Sequence, residues 1–169
     1  MKCIRQCGLS ACVLLLLLAR PGHSQSPAAS LQEARSLLAA GKVSEAETVL
    51  RAYLKSDPSS ADAHYLLGDV LFREQKARES LAELTAGAKF KHPGASELKI
   101  VASDYVLLAD FADADKWFSE VTAETPNDAE AWYLLGRTKY NENRFAEAIG
   151  AFEHVLTLRP KDVQAEDNL

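Results

Sequence analysis

The spacing of three prolines constrains this chain more than any other feature in it. Pro58 and Pro126 stand 68 residues apart, and Pro126 and Pro160 stand 34 apart. Proline has no backbone donor for a helical hydrogen bond, so each of these marks the end of an element. A fixed period of roughly 20–50 residues is the signature of a repeat array rather than of one irregular domain. A period of 34 divides the chain without a gap into windows 27–60, 61–94, 95–128 and 129–162. Within the last window, Leu134 and Leu135, then Phe145, Ala148, Ile149 and Phe152, step by three and four, the spacing of one helical face. Ala, Leu and Glu are abundant, with only 8 Gly and 6 Pro, which favours helix throughout. Each window is therefore expected to hold two helices. Asp128 and Asp162, two residues after their prolines, suit the N-cap of the helix that follows.

The fourth window opens Ala129-Glu130-Ala131-Trp132-Tyr133-Leu134-Leu135-Gly136 and continues through Ala148, Phe152 and Pro160. It closely resembles the tetratricopeptide repeat, with Trp, Leu and Gly at positions 4, 7 and 8, Ala at 20, an aromatic at 24 and Pro at 32. The second window repeats the pattern with Leu67, Gly68 and Leu84, and has Ser80 in place of Ala. The third offers Leu98, Val101, Ala102, Ala114, Phe118 and Pro126. The first has Ala34, Ala46, Leu50 and Pro58, but Ser30 and Glu33 depart from the motif at positions 4 and 7. The resemblance implies an all-α fold, a right-handed α-solenoid of antiparallel helix pairs. It also implies that small residues at position 8 (Ala34, Gly68, Ala102, Gly136) face small residues at position 20 (Ala46, Ser80, Ala114, Ala148). Two helices approach closely only where no bulky side chain intervenes. Gly41, Gln75, Ala109 and Asn143 fall in the turns within each pair. Gly and Asn tolerate a left-handed backbone there, whereas Gln and Ala are less suited. Gly87 falls inside a second helix, where the expectation is that a following helix packs on it. The His92-Pro93 step puts its proline one place late and predicts a locally different turn without loss of phase.

Residues 1–24 read as a secretory signal. Lys2 and Arg5 precede an apolar run from Leu9 to Ala19, and Gly22 and Ser24 are small residues placed for a cut before Gln25. The run is shorter than the roughly 17–25 residues that span a bilayer. Leu9-Ser10-Ala11-Cys12 also resembles the acylation motif of bacterial lipoproteins, although most of the apolar run follows the cysteine. A membrane would thus be met only through an uncleaved signal or a lipid anchor at Cys12. Cys3, Cys7 and Cys12 are the sole cysteines, so a processed chain has no thiol for a disulfide or metal site. The expected location is the periplasm, an envelope face or the exterior.

The formal charge is −5, and residues 25–169 hold 16 basic against 24 acidic residues. An acidic body has no electrostatic footprint for nucleic acid. His23, His64, His92 and His154 lie in separate elements without metal-ligand spacing, and His64 takes the position where the repeat motif has Trp. There is no Gly-rich phosphate loop or nucleophile elbow. No enzyme activity, cofactor, metal or small-molecule substrate is expected. Asp110, Asp113 and Asp115 read as a solvated helix start.

What remains is binding of other proteins or peptides. In the tetratricopeptide family the first helices line a concave groove through positions 2, 5, 9, 12 and 13. The resemblance places Asp62, Tyr65, Asp69, Phe72, Lys99, Val106, Tyr133, Arg137 and Tyr140 there. Positions 5 and 9 read Leu31/Arg35, Tyr65/Asp69, Lys99/Ser103 and Tyr133/Arg137, so the Lys/Asn/Arg clamp of some members is missing. Residues 163–169 read as the start of a truncated fifth repeat or as a short tail. Repeat stacks need a polar cap, and without one Ile149, Val155 and Leu156 are expected to lose part of their cover. Two readings follow: a scaffold of the bacterial envelope or exterior, or the repeat arm of a longer exported protein with an enzymatic or export function elsewhere.

Overall fold

The computed structural model describes residues 27–169, so the signal-like segment 1–24 lies outside the described residues. Four helix pairs follow in succession. They are α1 (Pro27–Ala39) with α2 (Val43–Ser56), α3 (Ala61–Arg73) with α4 (Ala77–Ala88), α5 (Ala95–Leu107) with α6 (Phe111–Glu124), and α7 (Ala129–Asn141) with α8 (Phe145–Leu158). A short α9 (Val163–Glu166) comes last, and there is no strand among the described residues. First helices begin at 27, 61, 95, 129 and 163, one period apart. Each pair packs on the next, giving an α-solenoid.

Local chemistry sets the helix ends. The Asp128 carboxylate accepts from the backbone N–H groups of Glu130 and Ala131 at 3.0 and 3.1 Å, and Asp162 accepts from Ala165 at 3.2 Å. At the displaced proline the arrangement differs. Second helix α4 ends at Ala88, two residues shorter than its counterparts, and Gly94 opens α5 by donating its N–H to Glu97 at 2.9 Å.

All four turns within the pairs use one device. Gly41, Gln75, Ala109 and Asn143 have φ of +72, +60, +57 and +61°. In each, the next residue's N–H reaches back five residues, as Lys42 to Leu37 and Asp110 to Tyr105, both at 2.9 Å. This double-bonded helix ending requires the left-handed backbone, which a residue with a Cβ adopts at a cost of about 1–2 kcal/mol. Gln75→Gly and Ala109→Gly are therefore expected to stabilise the fold by about 0.5–1 kcal/mol each, after the larger unfolded-state entropy of Gly is subtracted. Urea midpoints will check this, and a lower midpoint for either variant would contradict the strain argument.

The crossing residues Ala34, Ala46, Gly68, Ser80, Ala102, Ala114, Gly136 and Ala148 are all buried. What meets the glycines is more than a small partner. A Cβ on Gly68 would lie 2.8 Å from the Leu84 side chain, and one on Gly136 would lie 2.8 Å from the Phe152 ring. The large residue at position 24 lies over the gap, and Ser80 at position 20 adds a hydrogen bond to the Gly68 carbonyl at 2.9 Å. Gly87 corrects a further expectation. Its missing side chain admits the Tyr65 ring of α3, with Cε1 2.6 Å from where a Cβ would be, so the neighbour comes from its own pair.

In α3 and α7 the residue at position 4 ties the first helix to the preceding proline. Trp132 Nε1–H donates to the Pro126 carbonyl at 2.9 Å, and His64 Nε2 meets the Pro58 carbonyl at 3.0 Å. A carbonyl only accepts, so in this contact Nε2–H donates, as the Trp132 indole does in its own. Its Nδ1 faces Glu83 at 2.7 Å.

Two other expectations change. Asp110 caps α6, accepting from Asp113 N–H at 3.3 Å, but Asp115 does not belong to a solvated cluster. Its carboxylate pairs with Lys139 at 2.8 Å and Arg144 at 2.6 Å, joining α6 to the α7–α8 hairpin. At the C-terminal end Ile149 is exposed, as expected, yet Val155 is buried in a cluster with Ala129, Phe152 and Ala165 of α9. The single turn of α9 covers the centre of α8, while Phe145, at 49% exposed, stays open.

Among the described residues one buried carboxyl group makes no hydrogen bond. Asp104 on α5 stands one period from Val70 and Thr138, and all three are buried at repeat junctions. Thr138 satisfies its hydroxyl on the Leu134 carbonyl at 2.8 Å. Neither Asp104 oxygen has a hydrogen bond, because the nearby Ser80 hydroxyl proton is directed to Gly68. Burial pushes the Asp104 carboxyl up to about 6, with the Ser80 dipole opposing.

Candidate functional site

First helix α1 packs against α3, and α3 against α5. Lys99 of α5 extends the row to α7 by pairing with Glu130 at 2.7 Å and with the capping Asp128 at 3.0 Å. The residues that first helices present along this row form the candidate site.

The second pair contributes mostly structure. Tyr65 is only 7% exposed, and its hydroxyl donates to the Lys91 carbonyl. Its ring fills the space above Gly87, so Tyr65, expected on the groove surface, is a packing residue that shows the cavity only an edge. Asp62 pairs with Lys91 at 2.9 Å, and Asp69 accepts from both Arg73 Nε and Nη2 at 2.9 and 3.1 Å. Phe72 is half-buried. Between α1, α3 and α5, Asp62, Tyr65, Asp69 and Lys91 wall a cavity of about 440 Å³, with Arg35, Glu97 and Ile100 on its other sides. In the third repeat Val106 is half-buried against the Ala102 cluster, and Lys99 is held by its two carboxylates. Lys99 therefore fixes one repeat on the next.

The fourth repeat is more open. On α7, Tyr133 lies tilted against Phe152 with ring centroids 5.7 Å apart, half-buried. Arg137 is exposed, and Tyr140 is 57% exposed with its ring edge on Phe145 at 5.3 Å. Tyr133 and Glu130 face a cavity of about 250 Å³ closed by Arg159, Asp162 and Gln164. Arg137, Tyr140, Asn141 and Asn168 line another of about 210 Å³.

Lys91 and the α9 residues are wall residues that sequence reasoning missed. Lys91 comes from the irregular α4–α5 connection, whose late proline signalled a departure but not its direction. No three His, Cys, Asp or Glu side chains among the described residues are grouped as a metal ion requires.

A stack of helix pairs whose first helices share one lined face defines a helical repeat protein of the binding type. Profiles of the tetratricopeptide repeat match residues 31–96 and 129–162, together more than half of the chain, and the chain belongs to that family. No curated protein is a significant match. Among solved structures, YrrB, described as a TPR protein with an unusual peptide-binding site, is similar with a TM-score of 0.74 and 21% identity over 82% of this chain and 72% of its own. MamA from Desulfovibrio magneticus RS-1 is similar at 0.74 and 21%, over 80% of this chain and 77% of MamA. PilF of Pseudomonas aeruginosa is similar at 0.71 and 23%, over 85% of this chain and 67% of PilF. At such identities these likenesses establish the fold alone.

Proposed function

We propose that this chain is a non-catalytic scaffold that works outside the cytoplasm and holds peptides of partner proteins along the face of its first helices. Tetratricopeptide repeat proteins are in general protein–protein interaction scaffolds without catalysis. The observation that carries the finer reading is the strip Tyr133, Arg137, Tyr140 on α7, one helical face with exposed aromatic area beside two cavities. Buried apolar bodies with polar tips suit recognition, and aromatic residues and Arg dominate binding hot spots. The peptide-binding site by which YrrB is described supports the same use of the fold. Export rests on the charged start, short apolar run and small-residue cut of residues 1–24, and on a body free of cysteine. Among the described residues no helix is long and apolar enough to cross a membrane.

The test is photo-crosslinking in a cell envelope, with benzoylphenylalanine placed at Tyr140 or, on a second helix, at Glu120. Adducts are expected from position 140 and not from 120, on a chain whose intact mass begins at Gln25. Equal adducts from both positions would reject the face. A chain that keeps Met1 in the cytoplasmic fraction would reject the location.

A further inference from the structure

The charged residues at the groove positions are almost all neutralised from within. Asp62 has Lys91, Asp69 has Arg73, and Lys99 has Asp128 and Glu130. Among the described residues Arg35 and Arg137 are the two charged groove residues without an ion pair, and they stand three periods apart, on the first and fourth first helices. An acidic protein thus leaves two unpaired charges at these positions, and both are positive. The two surroundings differ. Arg35 shares its cavity with Asp62, Asp69 and Glu97, whereas the Arg137 cavity holds Tyr140, Asn141 and Asn168 and no carboxylate. Asn141 lies one helical turn beyond Arg137, so a guanidinium fork and an amide lie on one face of α7. Neutral amides and a phenol can add donors to a bound anion, while no acid competes for the arginine.

Resting on the peptide-binding reading above, we propose that the fourth repeat selects acidic partner segments. Arg137, assisted by Asn141, takes a Glu or Asp side chain, and Tyr140 takes the apolar residue next to it. Arg35 supplies a weaker second contact at the far end of the row, which would extend the acidic stretch along the solenoid.

The experiment titrates the full chain against three short fluorescein-labelled peptides with amidated C-termini, alternating Phe with Glu, Gln or Lys. Amidation removes the terminal carboxylate, so only side chains supply the anion. At low salt the Glu peptide is expected to bind about tenfold more tightly than the Gln peptide, with the Lys peptide weakest, and the ratio should shrink as salt rises. Arg137→Gln should bring the Glu/Gln ratio to within about twofold, and Arg137→Lys should keep part of it, since the charge remains but the fork is lost. Arg35→Gln should lower the ratio less. Tyr140→Ala should weaken the Glu and Gln peptides equally. A wild-type ratio near one, or a ratio untouched by Arg137→Gln, overturns the proposal. If Glu and Gln peptides bind equally and both respond to Tyr140→Ala, the groove stands and the acidic preference falls. If no peptide binds, or Tyr140→Ala changes nothing, both fall.

Discussion

Gly136→Leu is expected to unfold the α7–α8 pair while leaving α1 to α4 intact. A Cβ alone would stand 2.8 Å from Phe152 Cε1 and 3.0 Å from Cδ1 and Cζ. The ring has no room to retreat, since Phe152 is 1% exposed and packed against Ala129, Val155 and Ala165. Forcing extra methylenes into such a contact costs about 1–3 kcal/mol and sometimes more. Leucine adds four carbons, so a loss of at least about 3 kcal/mol is expected, a large share of a typical domain's total of about 5–15 kcal/mol. Repeats contact only their neighbours, so the damage stays local. Hydrogen exchange will show it as lost amide protection in α7 and α8 with protection kept in α1 to α4. Shrinking the opposing ring in Gly136→Leu/Phe152→Ala should recover part of the loss, a coupling that independent sites do not show. Gly68→Ala should be milder, because the flexible Leu84 side chain can turn aside where an aromatic ring cannot. An unchanged melting temperature in Gly136→Leu would defeat the close-packing account.

Asp104→Asn is expected to stabilise the protein at neutral pH and to flatten its pH dependence. The folded-state carboxyl titrates at about 6, above its ordinary value of 3.8, because burial penalises the charge. Between those values the folded chain binds more protons than the unfolded chain, so stability falls as pH rises through the window and stays low above it. A difference of about two pKa units corresponds to about 2–3 kcal/mol. Asparagine keeps the shape and removes the charge. The gain should be about 2 kcal/mol at pH 7.5 and close to nil at pH 4, read from chemical denaturation at both. Asp104→Val, which places at this junction the residue type of Val70 one period earlier, should stabilise at both pH values. If wild type and Asp104→Asn show the same slope between pH 4 and 7, the buried-charge explanation fails.

The helical features that reasoning from residues reached share a short range. Asp128 and Asp162 cap helices because their carboxylates reach N–H groups two or three residues on. Gln75 and Ala109 fall at the turn position by repeat phase, and both adopt the left-handed backbone although their residue types are less suited to it. His64 takes the motif position of Trp, and its Nε2 makes the same carbonyl contact that Trp132 makes. The candidate site was less legible. Tyr65 sits at a groove position but turns into the cavity left by Gly87, a coincidence of two helices that no single-helix pattern records. Asp115 looked like one of three acids at a helix start, and its partners Lys139 and Arg144 come from the next pair. Val155 was expected to lose cover, and α9 supplies it from only one turn.

The sequence by itself determined the helix pairs, their period and their turns, because capping, proline termination and apolar spacing act within one or two helical turns. Tertiary structure alone decided which charges are free. The pairs Lys91 with Asp62, Arg144 with Asp115 and Lys99 with Glu130 join residues 29, 29 and 31 apart in the chain. Those separations fall short of a full period, so they arise from how one repeat is offset on the next and not from in-phase recurrence. That offset leaves Arg137 unpaired beside Tyr140, and a Coulombic match that depends on a few ångströms of helix placement cannot be read from residue order.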